Sequence, residues 1–150
     1  MTRDQYADRL QVLVAFFETL TLAHVAVLRE LYAPDAYFKD PFNEVHSVTD
    51  IERIFTHMFQ QVQAPRFVVS DAVQQGDQAF LVWTFHFRMP GAGGAEQCIR
   101  GSTHVRFRPD GKVSHHRDYW DAAEELYAKL PVLGWLMRGL QRRVRAPLVR

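Results

Sequence analysis

Ala79-Phe80-Leu81-Val82-Trp83-Thr84-Phe85-His86-Phe87-Arg88-Met89 alternates, placing Leu81, Trp83, Phe85, Phe87 and Met89 on one face of a strand. The rhythm continues on both sides. Phe67 to Gln74 reads as a strand ending at the tight turn Gly76-Asp77. Glu96 to Arg108 alternates again, setting Ile99, Thr103, Val105 and Phe107 against Arg100, His104, Arg106 and Arg108. Pro90-Gly91-Ala92-Gly93-Gly94 joins two of these strands. Pro109-Asp110-Gly111 then combines a fixed φ, a side-chain acceptor and a free φ, which makes a turn before a last strand from Val113 to Trp120. Strands that follow one another through short turns pair antiparallel.

Upstream the period is helical. Tyr6, Leu10, Leu13, Phe17 and Leu20 recur at helix spacing, and Thr21 caps a second helix carrying Leu22, Val25, Leu28 and Leu31. Pro34 ends that helix, and Asp35 to Asp40 forms a short strand closed by Pro41. Ser47 and Asp50 resemble a capping box for a third helix, whose stripe is Ile51, Ile54, Phe55, Met58, Phe59 and Val62. Asp121 and Glu124 open a C-terminal helix, Pro131 breaks it, and a final helix runs from about Val132. Helices first, then a meander, is an α+β layout in which helices cover one sheet face.

The 150 residues and 47% apolar content fit one globular domain, 1–150, with 121–150 as a helical extension. A net charge of +1 argues against a nucleic-acid binder. The single Cys98 excludes an internal disulfide framework and reads as a quiet strand residue. The polar stretch Met1–Tyr6 lacks a signal core, and no apolar run reaches the ~20 residues of a membrane span. A cytoplasmic location is therefore the expectation. The histidines show no ligand spacing, so neither a metal nor an organic cofactor is expected.

Two stretches carry chemistry. Tyr37-Phe38-Lys39-Asp40-Pro41-Phe42 sets an acid among aromatics. His115-His116-Arg117-Asp118-Tyr119-Trp120 puts His116, Asp118 and Trp120 on one strand face. A carboxylate facing apolar side chains holds its proton more tightly, which suits general acid–base work. Each residue also has a structural reading. Asp40 can cap a turn, His116 can be a satisfied core histidine, and Asp118 can pair with Arg100, Arg106 or Arg117.

Leu31-Tyr32-Ala33-Pro34-Asp35-Ala36 followed by Asp40-Pro41, and Arg106-Phe107 through Gly111-Lys112-Val113 to Tyr119-Trp120, resemble the nuclear transport factor 2-like superfamily. The likeness is to its SnoaL-like polyketide cyclase and ketosteroid isomerase branches. It implies a cone: a strongly curved, mostly antiparallel sheet with N-terminal helices on its concave face, a hydrophobic pocket and a homodimer. The isomerase tunes its carboxyl pKa values by environment, with a base aspartate and an oxyanion hole of tyrosine and protonated aspartate. By resemblance Asp40 matches that base, while Phe16 and Thr103 stand at the two oxyanion positions. Phenylalanine cannot donate, and threonine donates only one neutral hydrogen bond. The resemblance also puts His116, Asp118 and Trp120 on the cavity side.

Asp40, His116 and Asp118 are thus the expected catalytic residues. Phe16, Phe38, Phe42, Phe59, Trp83, Phe85, Thr103, Val105 and Trp120 are the expected walls for a small apolar ligand. The implied activity is acid–base isomerisation, cyclisation or hydration of an apolar carbonyl or polyketide-like compound. The alternative is a non-catalytic ligand-binding or accessory module. The tail supplies a means of attachment: Trp135, Leu136, Leu140 and Val144 can share one helix face, with Arg138, Arg142, Arg143 and Arg145 around them. It reads either as a terminal helix packed on the body or a dimer mate, or as an interfacial helix on an anionic membrane.

Overall fold

The computed structural model describes residues 2–91, 94–127 and 131–144; for 131–133, 137, 141 and 144 it describes the backbone alone. Ala92, Gly93 and Arg145 lie outside the described residues. The chain forms two compact units, Met1–Tyr119 and Trp120–Arg150.

In the first unit, α1 (Arg3–Glu18) is followed by a 3-10 helix (Leu22–Val27), α2 (Leu28–Leu31), β1 (Tyr32–Lys39), β2 (Glu44–Val45) and α3 (Val48–Gln61). The meander is β3 (Gln63–Gln75), β4 (Gln78–Arg88), β5 (Glu96–Phe107) and β6 (Val113–Tyr119). These strands form one open six-stranded sheet in the order β2-β1-β6-β5-β4-β3. Every neighbouring pair is antiparallel except β1 and β6. The molecule is therefore an α+β protein, and β2 and β3 are its sheet edges.

Local chemistry explains the boundaries. Thr2 caps α1 in a reciprocal box with Gln5. Ser47 accepts from the Asp50 N–H at the start of α3, as its spacing predicts. Here the Asp50 carboxylate accepts from the Ser47 hydroxyl, 2.9 Å away, so the box is half formed. The segment after Thr21 differs from expectation: it is a 3-10 helix without a side-chain cap, and Leu22 lies exposed. Pro34 does not precede the strand but sits inside β1, where the register with β6 shifts between Tyr32 and Tyr37. A proline is tolerated there because the ladder is already interrupted.

One face of the sheet is largely apolar. Leu81, Trp83, Phe85 and Phe87 of β4 are buried, whereas Met89 falls beyond the strand and is exposed. Against this face α1 buries Leu10, Leu13, Phe16 and Phe17, and α3 buries Val48, Ile51 and Phe55. α1 packs on β3 and α3 on β1. The Val69 N–H, beside a register shift in the edge strand β3, donates to the Glu18 carboxylate of α1 at 3.2 Å.

The opposite face carries a row of rings: Phe80 stacks on His104, His104 meets His115, and His115 stacks on Tyr37. Burial lowers the pKa of both imidazoles, and the Arg106 charge adds to this. Both therefore remain uncharged near neutral pH.

In the second unit, α4 (Ala122–Glu125) starts with Asp121 accepting from the Glu124 N–H at 3.0 Å. α5 spans Pro131–Val144 and begins on a proline, which suits a first helical position. No helix among the described residues is long and apolar enough to cross a membrane.

Candidate functional site

Alternation along β6 turns His116 and Asp118 to the apolar face, and its pairing with β5 sets Val105 opposite His116 and Thr103 opposite Asp118. β4 continues the register, with Leu81 opposite Thr103 and Trp83 opposite Gly101. On the other side β1 pairs Phe38 with His116, their ring centroids 4.7 Å apart. Three strands therefore bring one imidazole, one carboxylate, one hydroxyl and one indole together.

These groups form a continuous hydrogen-bonded chain. The Trp83 indole N–H donates to Thr103 Oγ1 at 2.8 Å. The Thr103 hydroxyl donates to Asp118 Oδ1 at 2.6 Å. His116 Nε2 lies 2.8 Å from the same oxygen. Beyond the ring, His116 Nδ1 meets the Tyr32 hydroxyl at 2.7 Å. Tyr32 is fully buried, and desolvation, reinforced by the Asp118 charge, raises its pKa well above the usual tyrosine value. Among the described residues Asp118 Oδ2 has no partner. Among these residues no buried side-chain oxygen or nitrogen lacks one, so Oδ2 is in contact with solvent.

A cavity of ≈ 20 Å³ lies on this face, lined by Phe17, Phe55, Phe67, Val69, Leu81, Trp83, Thr103, His116 and Asp118. Its volume is about that of one water-sized sphere. A larger guest has to displace rings at its wall. Among the described residues no Lys or Arg lines it. Among the described residues no group of three His, Cys, Asp or Glu gathers as a metal site.

The expected residues divide accordingly. Trp83, Thr103, His116 and Asp118 line this cavity. Asp40 does not. Its Oδ1 accepts from the Phe42 and Asn43 backbone N–H groups at 2.8 and 2.7 Å, and the Asn43 amide reaches both oxygens. An aspartate followed by free N–H groups two and three residues on folds into such a turn spontaneously. Phe42 is 53% exposed. Phe16 is buried but only backs Phe17, with ring centroids 5.3 Å apart, and Phe17 forms the wall. Phe38 and Val105 are core neighbours of His116, Phe85 stacks on Phe67, and Phe59 is half-buried outside the lining. Trp120 belongs to the second unit. Among the described residues Asp118 takes His116 and Thr103 as partners, not Arg100, Arg106 or Arg117.

Sequence reading passed over Phe17, Phe55, Phe67, Val69 and Leu81 as walls, and gave Tyr32 no part in the site. The three aromatics carried a usable signal, because each faces the sheet in the helix or strand pattern. Nothing local marks Tyr32, 84 residues from its partner.

An open α+β sheet with an acid and an imidazole set in its apolar face defines a class of pocket-bearing folds. The SnoaL-like domain model matches residues 13–116, and the chain belongs to that family. No curated protein matches it. Among solved structures it is similar to a ketosteroid isomerase-like fold protein from Catenulispora acidiphila DSM 44928, in complex with trimethylamine. That match has 16% identity over 85% of this chain and 95% of the other, with a TM-score of 0.70. It is also similar to TsrD from Streptomyces laurentii, at 18% identity, 89% and 98% coverage and TM-score 0.66. A protein from Shewanella denitrificans OS-217, proposed as a SnoaL-like polyketide cyclase, matches at 18% identity, 81% and 98% coverage and TM-score 0.66. Likeness at these identities establishes the fold alone.

Proposed function

We propose that this chain binds a small, largely apolar carbonyl or polyketide-like compound and moves a proton on it, as an isomerase, cyclase or hydratase, with Asp118 as the base. The observation that carries this reading is the asymmetry of Asp118, which lines a cavity walled by aromatic rings: Oδ1 is held by Thr103 and His116, and Oδ2 has no partner among the described residues. A fixed carboxylate with one free oxygen can take a proton from carbon beside a carbonyl and return it elsewhere. Thr103 spends its single proton on Asp118, and Trp83 spends its own on Thr103. Neither is left to stabilise an oxyanion, which separates this site from the isomerase pattern. Asp40 serves its turn.

The test is proton–deuterium exchange at the carbon beside the carbonyl, followed by NMR in D2O across a panel of cyclic ketones and β-keto esters. Wild-type protein is expected to catalyse exchange of at least one compound, and Asp118→Asn to slow it about 10²- to 10⁴-fold. Equal exchange by both proteins would remove Asp118 from the chemistry.

A second reading, a non-catalytic ligand-binding or accessory module docked on an anionic membrane, is favoured by the small cavity and by α5. Trp135 is 73% exposed, Leu136 and Leu140 are exposed, and Arg138, Arg142 and Arg143 lie at the surface of the same helix. Between residues 131 and 150 there are five arginines and no acid. Such a helix lies in a lipid interface, its rings and leucines inserted and its cations at headgroups. The full chain is expected to co-sediment with phosphatidylserine-containing vesicles and not with phosphatidylcholine alone. Arg142→Glu/Arg143→Glu is expected to abolish this; sedimentation unchanged by charge reversal would rule the reading out.

A further inference from the structure

We propose that Tyr32 is a positioning residue: its hydroxyl donates to His116 Nδ1 and, together with Asp118 Oδ1 at Nε2, holds the ring as the neutral Nε2–H tautomer, leaving the second oxygen of Asp118 as the site's proton acceptor. The inference rests on the reading of Asp118 as base, but its own evidence is a count of hydrogens.

The ring has two polar contacts, Tyr32 at Nδ1 and Asp118 Oδ1 at Nε2. With the proton on Nε2, every group is satisfied: tyrosine donates to Nδ1, and Nε2 donates to the carboxylate. With the proton on Nδ1 instead, the bare Nε2 would face a carboxylate oxygen at 2.8 Å, acceptor against acceptor. The tyrosine would then accept, and its own hydrogen would have no partner. An imidazolium satisfies Asp118 but orphans the tyrosine hydrogen in the same way. Tyr32 is wholly buried and has no second partner among the described residues, so that orphan meets no water either. The other neighbours of the ring, Phe17 of α1 and Phe38 of β1, offer no polar atom. The titratable groups around it are Tyr32 on β1, and Asp118 with the more distant His115 on β6.

This assignment divides the labour within the site. His116 does not carry the substrate's proton; it transmits a fixed orientation from a phenol on one strand to a carboxylate on another. Tyr32 is suited to the task because burial keeps its own proton in place far above neutral pH.

The experiment is long-range ¹H–¹⁵N NMR of the histidine side chains in the full-length, uniformly labelled protein. In wild type, His116 is expected to show a protonated Nε2 and a bare, hydrogen-bonded Nδ1. In Tyr32→Phe, Nδ1 is expected to lose its hydrogen-bonded shift while Nε2 stays protonated against Asp118. Thr103→Val, which removes the other donor to Asp118, is expected to leave the tautomer as it is in wild type. A protonated Nδ1 in wild type overturns the proposal, and that measurement needs no variant to fold. So does a Tyr32→Phe spectrum whose Nδ1 resonance matches wild type. The readout is independent of turnover. If Asp118→Asn leaves proton exchange intact, the base assignment falls while the tautomer result stands.

Discussion

His116→Ala is expected to destabilise the protein by about 3–4 kcal/mol, combining the loss of a buried ring with the orphaning of a buried hydroxyl. The imidazole is 2% exposed and touches Phe17, Phe38 and Tyr32. Its removal leaves a hole among aromatic side chains that cannot close without moving β1 or β6. It also strips the Tyr32 hydroxyl of its partner and leaves Asp118 with Thr103 alone. Urea unfolding followed by far-ultraviolet circular dichroism measures the total. His116→Phe separates the parts: it refills the hole but still orphans the tyrosine, so roughly half the loss, about 2 kcal/mol, should remain. If His116→Phe proves as stable as wild type, the hydrogen bonds contribute nothing and the histidine is only a space-filler.

Gly101→Ala is expected to cost about 1–3 kcal/mol and to disable the cavity, the usual range for overpacking a core. A methyl group built at Gly101 would lie 2.5 Å from Trp83 Cη2 and 2.6 Å from Cζ2. No real contact is that short, and the obstacle is the far end of a buried indole. The ring must swing away, and it can do so only by giving up the Thr103 hydrogen bond that anchors the Asp118 carboxylate. Two measurements read this out: the unfolding midpoint and the position of the Trp83 indole N–H resonance. The double variant Gly101→Ala/Trp83→Phe restores room, since a phenyl ring stops short of the crowded atoms. Its loss of stability should fall short of the sum of the two single losses by a clear coupling term. Additive losses would mean that the glycine and the indole do not constrain each other.

Both predictions concern contacts across strands, and this marks where sequence reading succeeds. The inward set Leu81, Trp83, Phe85 and Phe87 was legible because strand geometry repeats every two residues, and a buried face writes that period into the chain. The cap at Ser47 and the turn at Asp110-Gly111 were legible because they depend on neighbours within three residues. The 3-10 helix after Thr21 and the strand that runs through Pro34 were not, because tertiary packing overrode local preference in both. The family likeness was carried by the same short-range features, and it brought the α+β arrangement of helices and sheet with it.

The site divides along the same line. His116 and Asp118, two residues apart on one strand, had to share a face wherever that strand lay. Asp40 looked equally suitable from its aromatic neighbours, yet the backbone N–H groups beside it claimed its carboxylate before any cavity could. The amino-acid sequence by itself thus determined the period of each element, the ends of several, and the pairing of acid with imidazole on β6, because these are interactions between residues close along the chain. Only the tertiary structure decided that Tyr32, Thr103 and Trp83 complete the chain of hydrogen bonds and that Phe17, not Phe16, walls the cavity. Strand register and helix rotation set those contacts, and both are fixed by the packing of the whole sheet rather than by any segment of it.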